Sequence, residues 1–475
     1  MDIPRQDEVE AIVSAALARH GIPGAGIALV LNGDRSVVPV GVCQSGSNSA
    51  VSDETRFQLA SCTKASTAAA IATLVDRREL RWDDRVREYL PDFRLYSEDI
   101  SDLATLRDLL SMRLGLKPGG VMYWGRNQEL GTDVLLTRLP HVEPVAGFRE
   151  TFTYYNPAYT LLTEIVSRCT SVPYIQYLSD AVLTPAGLAD TFVQEGLLKP
   201  HVSHALPHAA LDAGVVPLGE ARCGGRIGES CTYSSARDAA RWITLQLNSG
   251  QIDGTAVVSP ASMSEMHRPH VLSGGARAAG HQFIAYALGW QCRDSPQGPI
   301  LLHEGGEFGV STYIILSPDL HAGVAVYLNA NIPAVARGIA HQLLDRLTGA
   351  PPRDWVGHLE RLAAAERTAM SAAIDAMFPI ETGNEISCGE VVGHYQHPVD
   401  GVIEVRESRA GLSMHVLDGW VYDADLQPLG GSVYSTTCHY LGTQSMARGL
   451  NRVRFIREGP AVWLEAVGLG RIRRL

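Results

Sequence analysis

The chain has 475 residues, with 51 acidic against 40 basic side chains and a formal net charge of -11. That length exceeds what one ordinary core fills, so two domains, or one large domain with an appendage, are expected. The acidic balance argues against a nucleic-acid partner, and no apolar run reaches the roughly 20 residues that span a bilayer, so no membrane association is expected.

The first predicted element is a helix over 6–20, with Val9, Ile12, Val13, Ala16 and Leu17 on one face. The segment around it is acidic and amphipathic, without the basic start and cleavage site of a secretory signal. Eight cysteines are scattered with no CxxC pair. Reduced thiols in a cytoplasmic protein are the expectation. Two strands follow, near 25–32 and 36–42, joined by the turn LNGDRS. From Ser61 to about Val75 the residues are small and apolar, which predicts a buried helix with Ser61 at its N-terminal end. Residues 80–250 read mainly as helices and loops, including TLRDLLSMRLGL and SSARDAARWITLQLNS. Strand patterns return in FIAYALGWQCR, PILLHEGG, VSTYIILSP and AGVAVYLNAN, followed by a helix near 333–348. Strands from both ends thus bracket a helical middle, as in an α/β sandwich carrying a mainly helical lobe. Beyond GAPPRDW, an Ala- and Glu-rich helical stretch (354–378) leads into short strands from about 388, separated by recurring turn signals. That pattern predicts a small antiparallel sandwich or barrel. The expected division is 1–350, a helical linker over 351–385, and a barrel over 386–475.

Three stretches carry chemistry. In LASCTKA, Lys64 is one of only three lysines in an arginine-rich chain. A buried lysine can lose its proton and an arginine cannot. Ser61 stands three residues earlier, on the same helix face, so a neutral amine beside it would make a nucleophile. The helix start adds positive potential and backbone N–H groups that can receive an oxyanion. In TFTYYNPAYTLL, Pro157 suits the first turn of a helix, and Tyr154 and Asn156 lie on the loop leading into it. There a tyrosine can exchange a proton if a cation lowers its pKa, and an asparagine can donate to a substrate carbonyl. In LLHEGGEFG, His303 ends an apolar strand and is followed by Glu304, Gly305 and Gly306. The glycines admit close approach of a substrate, and the Gly306 N–H offers a second oxyanion donor. Taken singly, these are a surface lysine, a packed helix start and a hairpin turn.

In this order and spacing, S-x-x-K, Y-x-N and H-x-G resemble the penicillin-binding-protein and class C β-lactamase-like serine hydrolases, over roughly residues 6–350. The C-terminal strands resemble the lipocalin-like barrel appended to many of them. The resemblance implies a β-lactamase-like α/β fold, an antiparallel sheet flanked by helices with a mainly helical lobe. It implies Ser61 as the acylated nucleophile, with Lys64 and Tyr154 sharing its proton. Asn156 would orient the substrate amide, and His303 would polarise the Tyr154–Ser61 network or bind a substrate carboxylate. The N–H groups of Ser61 and Gly306 would form the oxyanion hole. Two departures stand out. Tyr155 is bulkier than the usual Ser or Ala, and Glu304 replaces a Thr or Ser that often binds a carboxylate. Both weigh against β-lactam hydrolysis.

Trp124, with Met122 and Tyr123, could line the substrate pocket or pack in the core; Glu304 and Gly305 are further substrate-binding candidates. His201, His204 and His208 have metal-like spacing, but Pro207 interrupts them, so a solvated loop is expected. No metal or cofactor is implied. Two functions remain open. One is a hydrolase that cleaves an ester, amide or peptide (esterase or D-peptidase type) through an acyl-enzyme. The other is a biosynthetic acyltransferase, a transacylase or peptide cyclase, passing the acyl group from a small or carrier-bound donor to an amine or alcohol.

Overall fold

The computed structural model describes residues 2–118, 131–193, 203–211, 214–219, 227–274, 281–307, 309–380, 386–399, 401–408, 411–417, 423–440, 443–444, 452–467 and 470–475. Helix α1 (Gln6–His20) buries Val9, Val13, Ala16 and Leu17 and stops at Gly21, which takes a left-handed conformation. Strands β1 (Gly24–Leu31) and β2 (Asp34–Gly41) form the expected hairpin, with Ile27 opposite Val38. Every residue of β1 is buried, because the strand is interior to the sheet.

Six more strands complete that sheet: β3 (Val271–Leu272), β4 (Ile284–Tyr286), β5 (Gln291–Arg293), β6 (Ile300–Glu307), β7 (Val310–Ser317) and β8 (Ala322–Leu328). The spatial order is β3-β4-β5-β6-β7-β8-β1-β2, antiparallel throughout. Sequence-distant β1 and β8 pair, which joins the N-terminal hairpin to the later strands in one sheet. Side chains alternate between two cores. Leu301, Ile314, Leu316 and Tyr327 face one core, shared with the helical lobe. Ile300, Leu302, Tyr313, Ile315 and Val326 face the other, covered by α1 and a later helix.

Helix α2 (Lys64–Asp76) is alanine-rich and buried from Lys64 to Leu74. Small side chains there let the lobe approach from all sides. It packs against α3 (Pro157–Thr170), while α4 (Ala236–Leu247) lies on β1 and β8. The middle region is mainly helices and loops, as expected, with short strands among them. It holds a three-stranded sheet of Arg56–Gln58, Thr232–Ser235 and Phe192–Val193, and a hairpin of His208–Leu211 with Gly214–Pro217. His208 is therefore buried at a strand start, not on a solvated loop; its Nδ1 donates to the Asn329 carbonyl at 2.8 Å.

Helix α5 (Pro333–Thr348) covers the second core, and α6 (Trp355–Met377) packs along it. A Cβ on Gly338 of α5 would fall 2.6 Å from the Val356 Cα, so a glycine is what lets these helices touch. Ile374 and Phe378, at the far end of α6, pack with Val433. The terminal strands are β9 (Gly393–His397), β10 (Gly401–Ser408), β11 (Gly411–Val416), β12 (Asp423–Gly430), β13 (Val433–Tyr440), β14 (Arg452–Glu458), β15 (Ala461–Ala466) and β16 (Gly470–Arg474). They run β12-β11-β10-β9-β16-β15-β14-β13, and β13 returns to pair with β12, closing an eight-stranded antiparallel barrel. Its lumen is filled by Tyr395, Ile403, Leu412, Met414, Leu426, Phe455 and Leu464. No helix among the described residues is long and apolar enough to cross a membrane.

Candidate active site

Ser61 lies in a 3₁₀ turn, Ala60–Thr63, that runs straight into α2. In a 3₁₀ turn, side chains three apart eclipse. Lys64 therefore folds back on Ser61 as closely as a full helix turn would bring it. Ala60 adopts φ +46°, a left-handed conformation that costs a non-glycine residue about 1–3 kcal/mol. The turn is fastened to the sheet: Thr312 Oγ1 on β7 donates to the Leu59 carbonyl at 2.8 Å. A Cβ on Gly305 would lie 2.2 Å from that same oxygen. Gly305 thus admits the nucleophile's own turn, not a substrate as expected. Open space lies instead over the exposed Gly306, where a Cβ would meet nothing within 4 Å.

The Lys64 side chain is wholly buried, the expected setting for a lysine that gives up its proton. Its Nζ donates to Ser61 Oγ at 3.0 Å and to the Glu229 carbonyl at 3.0 Å. It also sits 5.0 Å from the Tyr154 ring centroid and 5.7 Å from that of Tyr159. The Tyr154 hydroxyl donates to Ser61 Oγ at 2.8 Å. Burial pushes the Tyr154 phenol well above its ordinary pKa, and the nearby Tyr286, Glu229 and Glu304 push the same way against the Ser61 hydrogen bond. Tyr154 is a neutral donor.

Asn156 is the N-cap residue of α3, with Pro157 in the first turn as expected. Its Oδ1 is buried without a hydrogen-bond partner. Tyr155 points the other way, into the lobe core, so its bulk leaves the cleft unobstructed.

His303 is interior to β6, which continues to Glu307, and does not end the strand. Its Nδ1 lies 2.8 Å from the Glu304 carbonyl oxygen, which can only accept, so Nδ1 carries the proton. Nε2 then accepts from the Tyr286 hydroxyl at 3.0 Å. Burial, with the Lys64 charge adding to it, lowers the His303 pKa to about 3, so the ring is neutral. With both nitrogens engaged, His303 has no N–H left for a substrate carboxylate. Beyond Leu302, β6 has no pairing to β5, and this edge runs beside the Ser61 turn. Backbone groups alternate along a strand, so the Gly306 N–H shares the edge that carries the Glu304 carbonyl. The Glu304 side chain turns toward α5, where Arg337 Nη2 meets it at 2.5 Å. Trp124, Met122, Tyr123 and His201 lie outside the described residues.

The Beta-lactamase family model matches residues 9–348, well over half of the chain. The chain belongs to the beta-lactamase family. It is 27% identical over 348 residues to penicillin-binding protein 4 of Amycolatopsis lactamdurans, covering 70% of this chain and 88% of that one. It is 26% identical over 420 residues to an unguisins hydrolase of Aspergillus campestris, covering 83% and 76%. The octameric penicillin-binding protein homologue from Pyrococcus abyssi shares the fold over 100% of both chains, with a TM-score of 0.64 at 20% identity.

Within this beta-lactamase-family site, three participants escaped sequence reasoning. Glu229 contributes a backbone carbonyl, which any residue supplies, so nothing in its side chain signals the role. Tyr286 reads only as one apolar position of a strand. Arg337 comes from another element, 33 residues after Glu304. A second nucleophile-like set exists on the barrel, with Ser413 Oγ 2.9 Å from His415 Nε2 and His415 Nδ1 2.6 Å from Asp423 Oδ1. It lies on the outer face of paired strands, opposite in alternation to the lumen residues Leu412 and Met414. Among the described residues, the N–H groups around it belong to a sheet ladder and do not converge as acyl transfer needs.

Proposed function

We propose that this beta-lactamase-family serine hydrolase cleaves an ester or amide bond through an acyl-enzyme on Ser61. The observation that carries the reading is a serine oxygen held between a fully buried lysine amine at 3.0 Å and a neutral phenol at 2.8 Å. In this mechanism a neutral Lys64 takes the Ser61 proton as Oγ bonds to the substrate carbonyl carbon. The carbonyl electron pair moves to oxygen, received by the Ser61 and Gly306 N–H groups. When the carbonyl re-forms, the bond to the leaving alcohol or amine breaks. Tyr154 gives that group a proton and is re-protonated from Lys64. Water then attacks the ester, its proton passing through the same pair back to Ser61. Asn156, with its unpartnered buried oxygen, holds the substrate amide.

The relative named a hydrolase supports water as the second nucleophile. Transfer to an amine or alcohol shares every step up to the acyl-enzyme. A cytoplasmic setting is part of the same reading and rests on the scattered thiols. A fluorophosphonate probe tests the nucleophile: it should label Ser61 in the native protein, and labelling of another residue sinks the reading. Chasing the acyl-enzyme from an activated ester with water alone, and then with added amine, separates hydrolysis from transfer. Release at the same rate in both indicates a hydrolase; release that depends on amine indicates a transferase.

A further inference from the structure

We propose that the cleft selects substrates with no carboxylate on the leaving-group side of the scissile bond, and that Glu304 and Arg337 set this selectivity. The inference rests on the acyl-enzyme reading and adds a substrate class to it. Glu304 and Arg337 form an ion pair at 2.5 Å, with side chains 41% and 35% exposed, so the pair is open to solutes next to His303 on the unpaired edge of β6. The Glu304 charge is felt at the reacting centre, since it helps to raise Tyr154, the residue that protonates the leaving group.

Among the described residues, His303 and Lys64 are committed elsewhere. His303 gives its Nδ1 proton to the Glu304 carbonyl and its Nε2 lone pair to Tyr286. Lys64 Nζ is turned inward to Ser61 and the Glu229 carbonyl. A substrate carboxylate brought beside Glu304 meets a like charge. To pair with Arg337 it must compete with the Glu304 carboxylate, which leaves two like charges side by side. A carboxamide, an alkyl ester or a ring-closed amide has no such cost. The protein therefore discriminates by an included repulsive group as well as by fit.

Two aryl esters with the same acyl group test this, one bearing a carboxylate on the leaving phenol and the other a carboxamide. Both pass through one acyl-enzyme, so the ratio of their kcat/KM values reports acylation alone. The wild-type protein should prefer the carboxamide ester by about tenfold or more, and the preference should shrink as salt is raised. Glu304→Gln frees Arg337 and should bring the ratio to unity or reverse it, chiefly by lowering KM for the carboxylate ester. Arg337→Gln leaves Glu304 uncompensated and should steepen the preference; this variant decides the matter if Glu304→Gln does not fold. Equal wild-type rates for the two esters, or a ratio that neither variant shifts, would overturn the proposal. Failure of both esters to acylate Ser61 is a different result and counts against the acyl-enzyme reading itself.

Discussion

Lys64 is where the residue-level account is most exposed to test. Arginine keeps the charge and much of the reach, but it cannot surrender a proton. Lys64→Arg should therefore lower kcat/KM nearly as far as Lys64→Ala, by about 10³-fold or more. An arginine variant that retains most of the activity contradicts the proton-transfer role. His303 gives the complementary case. Its neutral ring, with a pKa of about 3, takes no part in titration near neutrality. The acid limb of the kcat/KM profile should then be the same in wild type and His303→Gln, whatever the variant does to absolute rate. Loss of that limb in the variant would assign it to the imidazole. Ser61, Lys64 and Tyr154 were legible because their side chains carry the chemistry and each sits in a short local pattern, S-x-x-K and Y-x-N. Glu229 acts through its backbone, and Arg337 through a pairing between distant elements, so neither left a local mark.

Among the elements, α1, α2, α5 and the first hairpin followed directly from hydrophobic period and caps. Strand β6 was expected but with its end at His303: Glu-Gly-Gly-Glu disfavours a strand by propensity, yet pairing with β7 carries it through Glu307. The small three-stranded sheet was hidden, since strands of two to four residues are too short to show a period. Gly305 belongs to this scale. Gly305→Ala puts a methyl 2.2 Å from the Leu59 oxygen, so it should shift the Ser61 turn and cut turnover about tenfold or more while the fold survives. Full activity in that variant would show that the turn does not depend on this contact. In the lobe, Asp108 is fully buried, caps its helix through Thr105, and accepts from Arg113 at 2.6 Å and Arg149 at 2.8 Å. Burial raises its pKa, but the two arginines outweigh burial and hold it below the ordinary 3.8. The pair's stabilisation is thus complete above that value and is lost as pH falls through the lower folded one. Asp108→Asn leaves two arginines short of a partner and should cost about 3 kcal/mol at neutral pH, read as a lower urea midpoint. A midpoint within error of wild type would show that the arginines find other partners.

At the scale of the whole molecule, the barrel is docked on the rest of the chain. Val399, in the turn between β9 and β10, is buried against the lobe core, and Arg138 Nη1 donates to its carbonyl at 3.4 Å. The barrel was legible from its regular turns; its docking was not, because a single valine in a turn carries no pattern. Buried histidines set the molecule's response to acid. Burial lowers His303 and His341 to about 3 and His267 to about 4, from an ordinary 6.5. The unfolded chain takes up protons at these sites before the folded one does. Stability is therefore intact above pH 6.5 and falls as pH drops from there toward 3. A melting temperature that declines steadily between pH 6.5 and 4 is expected, and a flat one would show that these rings gain protons without unfolding.

The central claim is that Ser61 becomes acylated with Lys64 taking its proton. Rapid-quench intact-mass measurement with an activated ester reads it directly. The expected result is one acyl adduct per chain, mapped to Ser61, forming before steady state in the wild type and strongly slowed in Lys64→Arg. An adduct on another residue, or one that forms equally fast in Lys64→Arg, would contradict the account.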